Sequence, residues 1–71
     1  MTIFEVFYID RYAGWALGEF SIDEGYQIGD VRFGYHKADA LALAKQLDPH
    51  KAVRVYDRKG RIQKTVVGHG A

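Results

Sequence analysis

The sequence predicts an α+β domain, an antiparallel sheet with the element order βββαββ and one helix packed on one face. Three observations lead to that class. Aromatic and β-branched residues fall in short runs separated by turn-forming stretches, the pattern of strands. The segment Lys37 to Leu47 lacks Gly, Pro and β-branched residues and holds four alanines, which favours helix. The last apolar stretch is interrupted by Arg58-Lys59-Gly60, a three-residue loop with glycine where a hairpin needs a left-handed residue.

The elements follow in order. Ile3 to Asp10 reads as a first strand ending in the turn-competent Asp10-Arg11-Tyr12-Ala13-Gly14. Gly14 to Phe20 is a second strand centred on Trp15 and Leu17, and Ser21 to Gly25 is a polar link to a third strand, Tyr26 to Phe33. Short links between consecutive strands imply an antiparallel meander. Gly18, Gly29 and Gly34 lie in or beside these strands, where glycine marks a bulge or a close backbone approach.

In the helix, Ala40, Leu43, Ala44 and Leu47 recur at the three-four spacing and form the buried stripe, with Leu41 on its border. His36 takes the N-cap position, Asp39 lies in the first turn where the helix dipole favours a carboxylate, and Asp48-Pro49 ends the helix. Ala52 to Asp57 and Arg61 to Val67 form the closing hairpin; pairing Asp57 with Arg61 sets Arg54 opposite Lys64, an unfavourable match. Residues 1–67 are expected to form one domain, and residues 68–71 a flexible tail.

A chain of 71 residues buries only about 60% of the surface its unfolded form exposes, so a partner subunit would add needed stability. Its hydrophobic fraction of 48% separates it from disordered chains. Cysteine is absent, which excludes disulfides and thiolate sites. No apolar run approaches the roughly 20 residues of a membrane helix, and Glu5 and Asp10 interrupt the opening segment where a secretory signal would be apolar. A cytoplasmic location without membrane association is expected.

Charge is unevenly placed. Residues 1–36 hold six acids and two bases, net −4, whereas residues 51–64 hold six bases and one acid, net +5. Such polarity within one small domain suggests electrostatic association. Arg54, Arg58, Lys59, Arg61 and Lys64 are the candidate contacts of the basic hairpin, with Tyr56 among them as a stacking group. The plainer role of such cations is to guard a sheet edge against strand addition.

The first strand is apolar on both sides, Ile3, Phe7 and Ile9 on one and Phe4, Val6 and Tyr8 on the other. One helix covers only one side, so the second calls for another cover, unless the sheet curls enough to enclose both. The face carrying Phe4, Val6, Tyr8 and Tyr56 is the expected dimer face.

No constellation for chemistry emerges. His36, His50 and His69 match no metal-ligand spacing. Ser21, Thr2 and Thr65 stand outside any nucleophile motif, and Asp23-Glu24 reads as a solvated turn rather than an acid and base pair. The glycines near Gly34-Tyr35-His36-Lys37 do not compose a phosphate loop. Neither a cofactor nor catalysis is expected.

Gly14-Trp15 opening a strand, the helix positions Ala38, Ala40, Leu41, Ala44 and Leu47, and the run from Val53 to Gln63 through Asp57-Arg58-Lys59-Gly60 together resemble a family of small bacterial proteins classed as a domain of unknown function, number twenty-one eighty-eight. The likeness spans about residues 14 to 65. The chain departs from the family in having Tyr35-His36 before the helix, where a small polar cap is usual, and in a longer stretch from Glu19 to Phe33. The resemblance implies a compact strand-helix-hairpin arrangement and no mechanism. The expectation is a non-enzymatic interaction protein, a homodimer that binds a protein partner through an apolar sheet face or the basic hairpin. The alternative is a nucleic-acid-binding regulator that uses the hairpin at 51–64.

Overall fold

The computed structural model describes residues 1–66. The chain forms β1 (Thr2–Ile9), a single 3-10 turn (Asp10–Tyr12), β2 (Gly14–Ser21), β3 (Tyr26–Gly34), α1 (Lys37–Leu47), β4 (Val53–Tyr56) and β5 (Ile62–Val66). One five-stranded sheet has the order β3-β2-β1-β4-β5. The expected tail, 68–71, and the predicted strand residue Val67 lie outside the described residues.

The first three strands are the antiparallel meander that their short links require. Ile9 pairs with Gly14 and Thr2 with Ser21, while Trp15 pairs with Gly34 and Ser21 with Tyr26. Ala13 takes a left-handed conformation (φ 50°) and its N–H donates to the Asp10 carbonyl at 3.1 Å, closing the first turn. Between Leu17 and Glu19 the β2–β3 register shifts, and Gly29 in the opposing strand has φ 69°. That conformation suits glycine, which lacks the Cβ that disfavours it.

An all-antiparallel sheet was expected, and the sheet is mixed. β4 runs parallel to β1, with Phe4 beside Val53 and Val6 beside Val55. The helix is the cause. It carries the chain back across the sheet from the end of β3, so β4 starts in the direction of β3, which is also that of β1. β2 already occupies one edge of β1, and β4 takes the other.

The hairpin has its predicted loop, with Gly60 at φ 83°. Asp57 organises it: its N–H donates to the Arg61 carbonyl at 2.8 Å, and its Oδ1 accepts the N–H groups of Lys59 and Arg61 at 2.9 Å. The expected match of Arg54 with Lys64 does not occur. Tyr56 pairs with Ile62 but Val55 pairs with Lys64, so Gln63 is an extra residue and Arg54 faces Thr65. The bulge separates two like charges that a regular ladder would oppose.

The core lies between α1 and the sheet. Phe4, Val6, Trp15, Leu17, Val53 and Val55 meet Ala40 and Ala44, with Tyr8, Leu41 and Leu43 at the margin. The alanines allow the helix to approach closely. Leu47, expected in the stripe, is 44% exposed at the helix end, and Leu41 packs in its stead. Asp48 closes the helix as its N–H donates to the Ala44 carbonyl at 3.0 Å, and its Oδ1 accepts the His50 N–H at 3.0 Å.

This placement corrects the expected dimer face. Phe4 and Val6 are buried beneath the helix, Val6 completely, and Tyr8 packs against them. Tyr56 alternates to the opposite side of the sheet from Val55. The neighbouring strands decide which side the helix covers. On the covered side β2 and β4 offer Trp15, Leu17, Val53 and Val55, whereas on the other side β2 has only Gly14, Ala16 and Gly18 before Phe20.

Candidate functional site: an open aromatic sheet face

The side of the sheet away from α1 carries Ile3, Phe7 and Ile9 from β1, and no element among the described residues covers it. Gly14, Ala16 and Gly18 of β2 make a low floor there. A Cβ on Gly14 would lie 2.5 Å from the ring of Phe33, and one on Gly18 would lie 2.7 Å from Gln27 Nε2 and 3.2 Å from the ring of Phe7. The side chains of the two flanking strands therefore lean inward over a strip of small residues.

Above that floor is a shallow groove of about 600 Å³ lined by Phe7, Ile9, Tyr12, Gln27, Val31, Phe33 and Tyr35. The ring of Phe33 meets Tyr12 edge-on at 5.8 Å and Tyr35 edge-on at 5.0 Å, the geometry that the ring quadrupoles prefer. The three rings support one another yet stay exposed, by 59% at Tyr12, 40% at Phe33 and 73% at Tyr35. Large apolar groups gathered in one exposed patch are unusual on a monomer and mark association surfaces.

The β4 half of the same face is polar and satisfied from within. The Tyr56 hydroxyl donates to Glu5 at 2.5 Å, and the Arg54 guanidinium lies 3.6 Å from the same carboxylate and 3.5 Å from the hydroxyl. Arg54 also sits over Phe20, 5.8 Å from its centroid. Burial pushes the Tyr56 hydroxyl above its ordinary pKa, opposed by the nearby guanidinium, and the contact with Tyr56 holds the Arg54 pKa up.

The five predicted hairpin cations do not form one patch. Arg54 is held on the open face by Glu5. Arg58 lies over the ring of Tyr8 at 4.8 Å, toward the helix side, and Arg61 pairs with Asp57 at 3.7 Å. The Arg61 backbone N–H is the main cause of the lowered Asp57 pKa. Lys59 is exposed at the tip, and Lys64 is level with Val55 on the helix side. Lys37, lying 5.2 Å from the centroid of Trp15, reaches β5 by a hydrogen bond to Gln63.

The expected site residues omit Tyr12, Val31, Phe33 and Tyr35. Their signal in the sequence is the strip Gly14-x-Ala16-x-Gly18, which leaves room for large neighbours, but the bulge near Gly29 shifts the alternation of β3 and hides which side Val31 and Phe33 share.

A second cleft, about 410 Å³, opens beside the end of α1 and contains Phe4, Leu17, Glu19, Ile28, Asp30, Arg32, Leu47, Asp48 and Lys51. Lys51 reaches over the ring of Phe4, 4.9 Å from its centroid, and pairs with Glu19 at 2.6 Å; that hydrogen bond holds the Glu19 carboxyl below its ordinary pKa. Among the described residues no three His, Cys, Asp or Glu side chains come together as metal ligands. Nor is any helix there long and apolar enough to cross a membrane. His69 lies outside the described residues. No family model, curated protein or solved structure matches the chain.

Proposed function

We propose that the chain is a non-enzymatic, cytoplasmic interaction protein that works as a homodimer through the open sheet face. The observation that carries this reading is the exposed ring group Tyr12, Phe33 and Tyr35 beside Phe7, Ile9 and Val31. Burying one such side chain contributes about 1.5–3 kcal/mol, so a few of them offset much of the entropy of association. Charge supports a second copy as the occupant. The sheet order places the acidic first strands at one side and the basic hairpin at the other, so one molecule carries both complementary surfaces.

The nucleic-acid reading has less support, because Arg54, Arg58 and Arg61 are engaged by Glu5, Tyr8 and Asp57 within the fold. Phosphate affinity depends on cations left free to displace counterions.

Light scattering on the purified chain is expected to give twice the monomer mass at micromolar concentration. Phe33→Ser and Tyr35→Glu should each give monomers with unchanged circular dichroism, Tyr35 being too exposed to matter for folding. A wild-type monomer at high micromolar concentration overturns the reading. So does submicromolar binding of a DNA or RNA oligonucleotide at physiological salt that Arg58→Glu abolishes.

A further inference from the structure

Four rings of this fold hold one of the chain's own cations. Lys37 lies over Trp15 at 5.2 Å from the centroid, Lys51 over Phe4 at 4.9 Å, Arg54 over Phe20 at 5.8 Å and Arg58 over Tyr8 at 4.8 Å. Among the described residues, no cation stands over Tyr12, Phe33 or Tyr35, although these three are more exposed than any of the four rings that hold one. Their faces are open to a cation from outside.

The geometry suits one. Phe33 stands at 81° to the ring of Tyr12 and at 84° to that of Tyr35, and a ring set perpendicular to two others leaves corners in which a guest touches two rings at once. A cation in such a corner lies within about 6 Å of both centroids, the range over which ring quadrupoles attract it. The corners open into the groove of about 600 Å³, whose other lining residues are Phe7, Ile9, Gln27 and Val31. That lining has neither a base to repel a cation nor a carboxylate to prefer a small, hydrated one.

Hydration decides which kind of cation fits. A primary ammonium is compact and strongly hydrated, and where this fold sets one over a ring it adds an oxygen partner: Glu19 for Lys51 and Gln63 for Lys37. The open groove has no carboxylate for that purpose. A quaternary ammonium has no N–H to satisfy, spreads its charge over methyl groups, and presents those methyls to Ile9 and Val31 as apolar surface. We propose that Tyr12, Phe33 and Tyr35 form a partial aromatic cage that binds a quaternary ammonium group of the choline type. The proposal goes beyond the dimer reading and does not rest on it; a guest in the cage competes with a second copy for the same rings.

Choline is the probe, and its uncharged carbon analogue, with tert-butyl in place of trimethylammonium, is a control of the same shape. Titrated into the intact chain at low micromolar concentration, choline is expected to bind saturably and about fivefold more tightly than the analogue. NMR saturation transfer from the aromatic protons to its methyl groups locates it against the rings. Tyr35→Leu keeps apolar bulk at a position that is 73% exposed, so the fold is unaffected. It should weaken choline about threefold and leave the analogue nearly unchanged; Tyr12→Leu, also at an exposed position, is the second variant. Phosphatidylcholine vesicles distinguish the source of the group: co-sedimentation that Tyr35→Leu abolishes assigns a lipid headgroup, and choline binding without co-sedimentation assigns the free ion. An analogue that binds as tightly as choline reduces the cage to an apolar groove and overturns the proposal. So does the absence of saturable choline binding, or choline binding unchanged in both variants.

Discussion

Among the described residues Val6 and Val55 are the largest side chains wholly removed from solvent, and they pair across the parallel β1–β4 contact. Val55→Ala removes methyl groups that the surrounding strands and helix cannot replace. It is expected to cost about 2 kcal/mol in urea unfolding. Leu47→Ala, at an exposed position, should change stability by less than about 0.5 kcal/mol. Glu19 gives the pH dependence a direction. Its folded pKa lies below the ordinary 4.5, so the stability it adds is complete above that value and is lost as pH falls through the lowered folded value. Glu19→Gln should flatten the stability profile below pH 4.5 and cost less than about 1 kcal/mol at neutral pH, because the pair with Lys51 is partly exposed and screened.

At the level of elements, α1 is held by alanines, and its contact with the sheet depends on their size. Ala44, fully buried, has no room for a longer side chain, and Ala44→Leu is expected to destabilise the domain by about 1–3 kcal/mol, measured by thermal unfolding. The helix bounds Lys37–Leu47 were legible from propensity and from Asp48-Pro49, because both signals are local. The hairpin loop was legible for the same reason. The parallel β1–β4 pairing was not, since adjacency across the helix depends on which edge of β1 remains free after β2 has paired. The helix side of the sheet was obscure in the first strand, where both sides are apolar. It becomes readable only with β2 and β4 considered beside it, as Trp15 and Leu17 alternate with Gly14, Ala16 and Gly18. The aromatic site was half legible: Phe7 and Ile9 stood out by alternation, whereas Phe33 was concealed by the bulge, and Tyr12 and Tyr35 lie just outside the strands.

Across the whole molecule, the uneven charge seen in the sequence becomes a polarity across the sheet, because the acidic meander and the basic hairpin occupy opposite sides of β1. The exposed aromatic groups of the open face supply the attraction in the proposed dimer. The most direct test of the open-face interface is amide NMR on serial dilution from millimolar to low micromolar protein. Concentration-dependent shifts are predicted at Phe7, Ile9, Ala16 and Phe33, with the exposed helix residues Ala38, Ala42 and Lys45 unchanged. Shifts centred on the helix, or spectra identical over the whole range with the rotational correlation time of a monomer, would contradict the account.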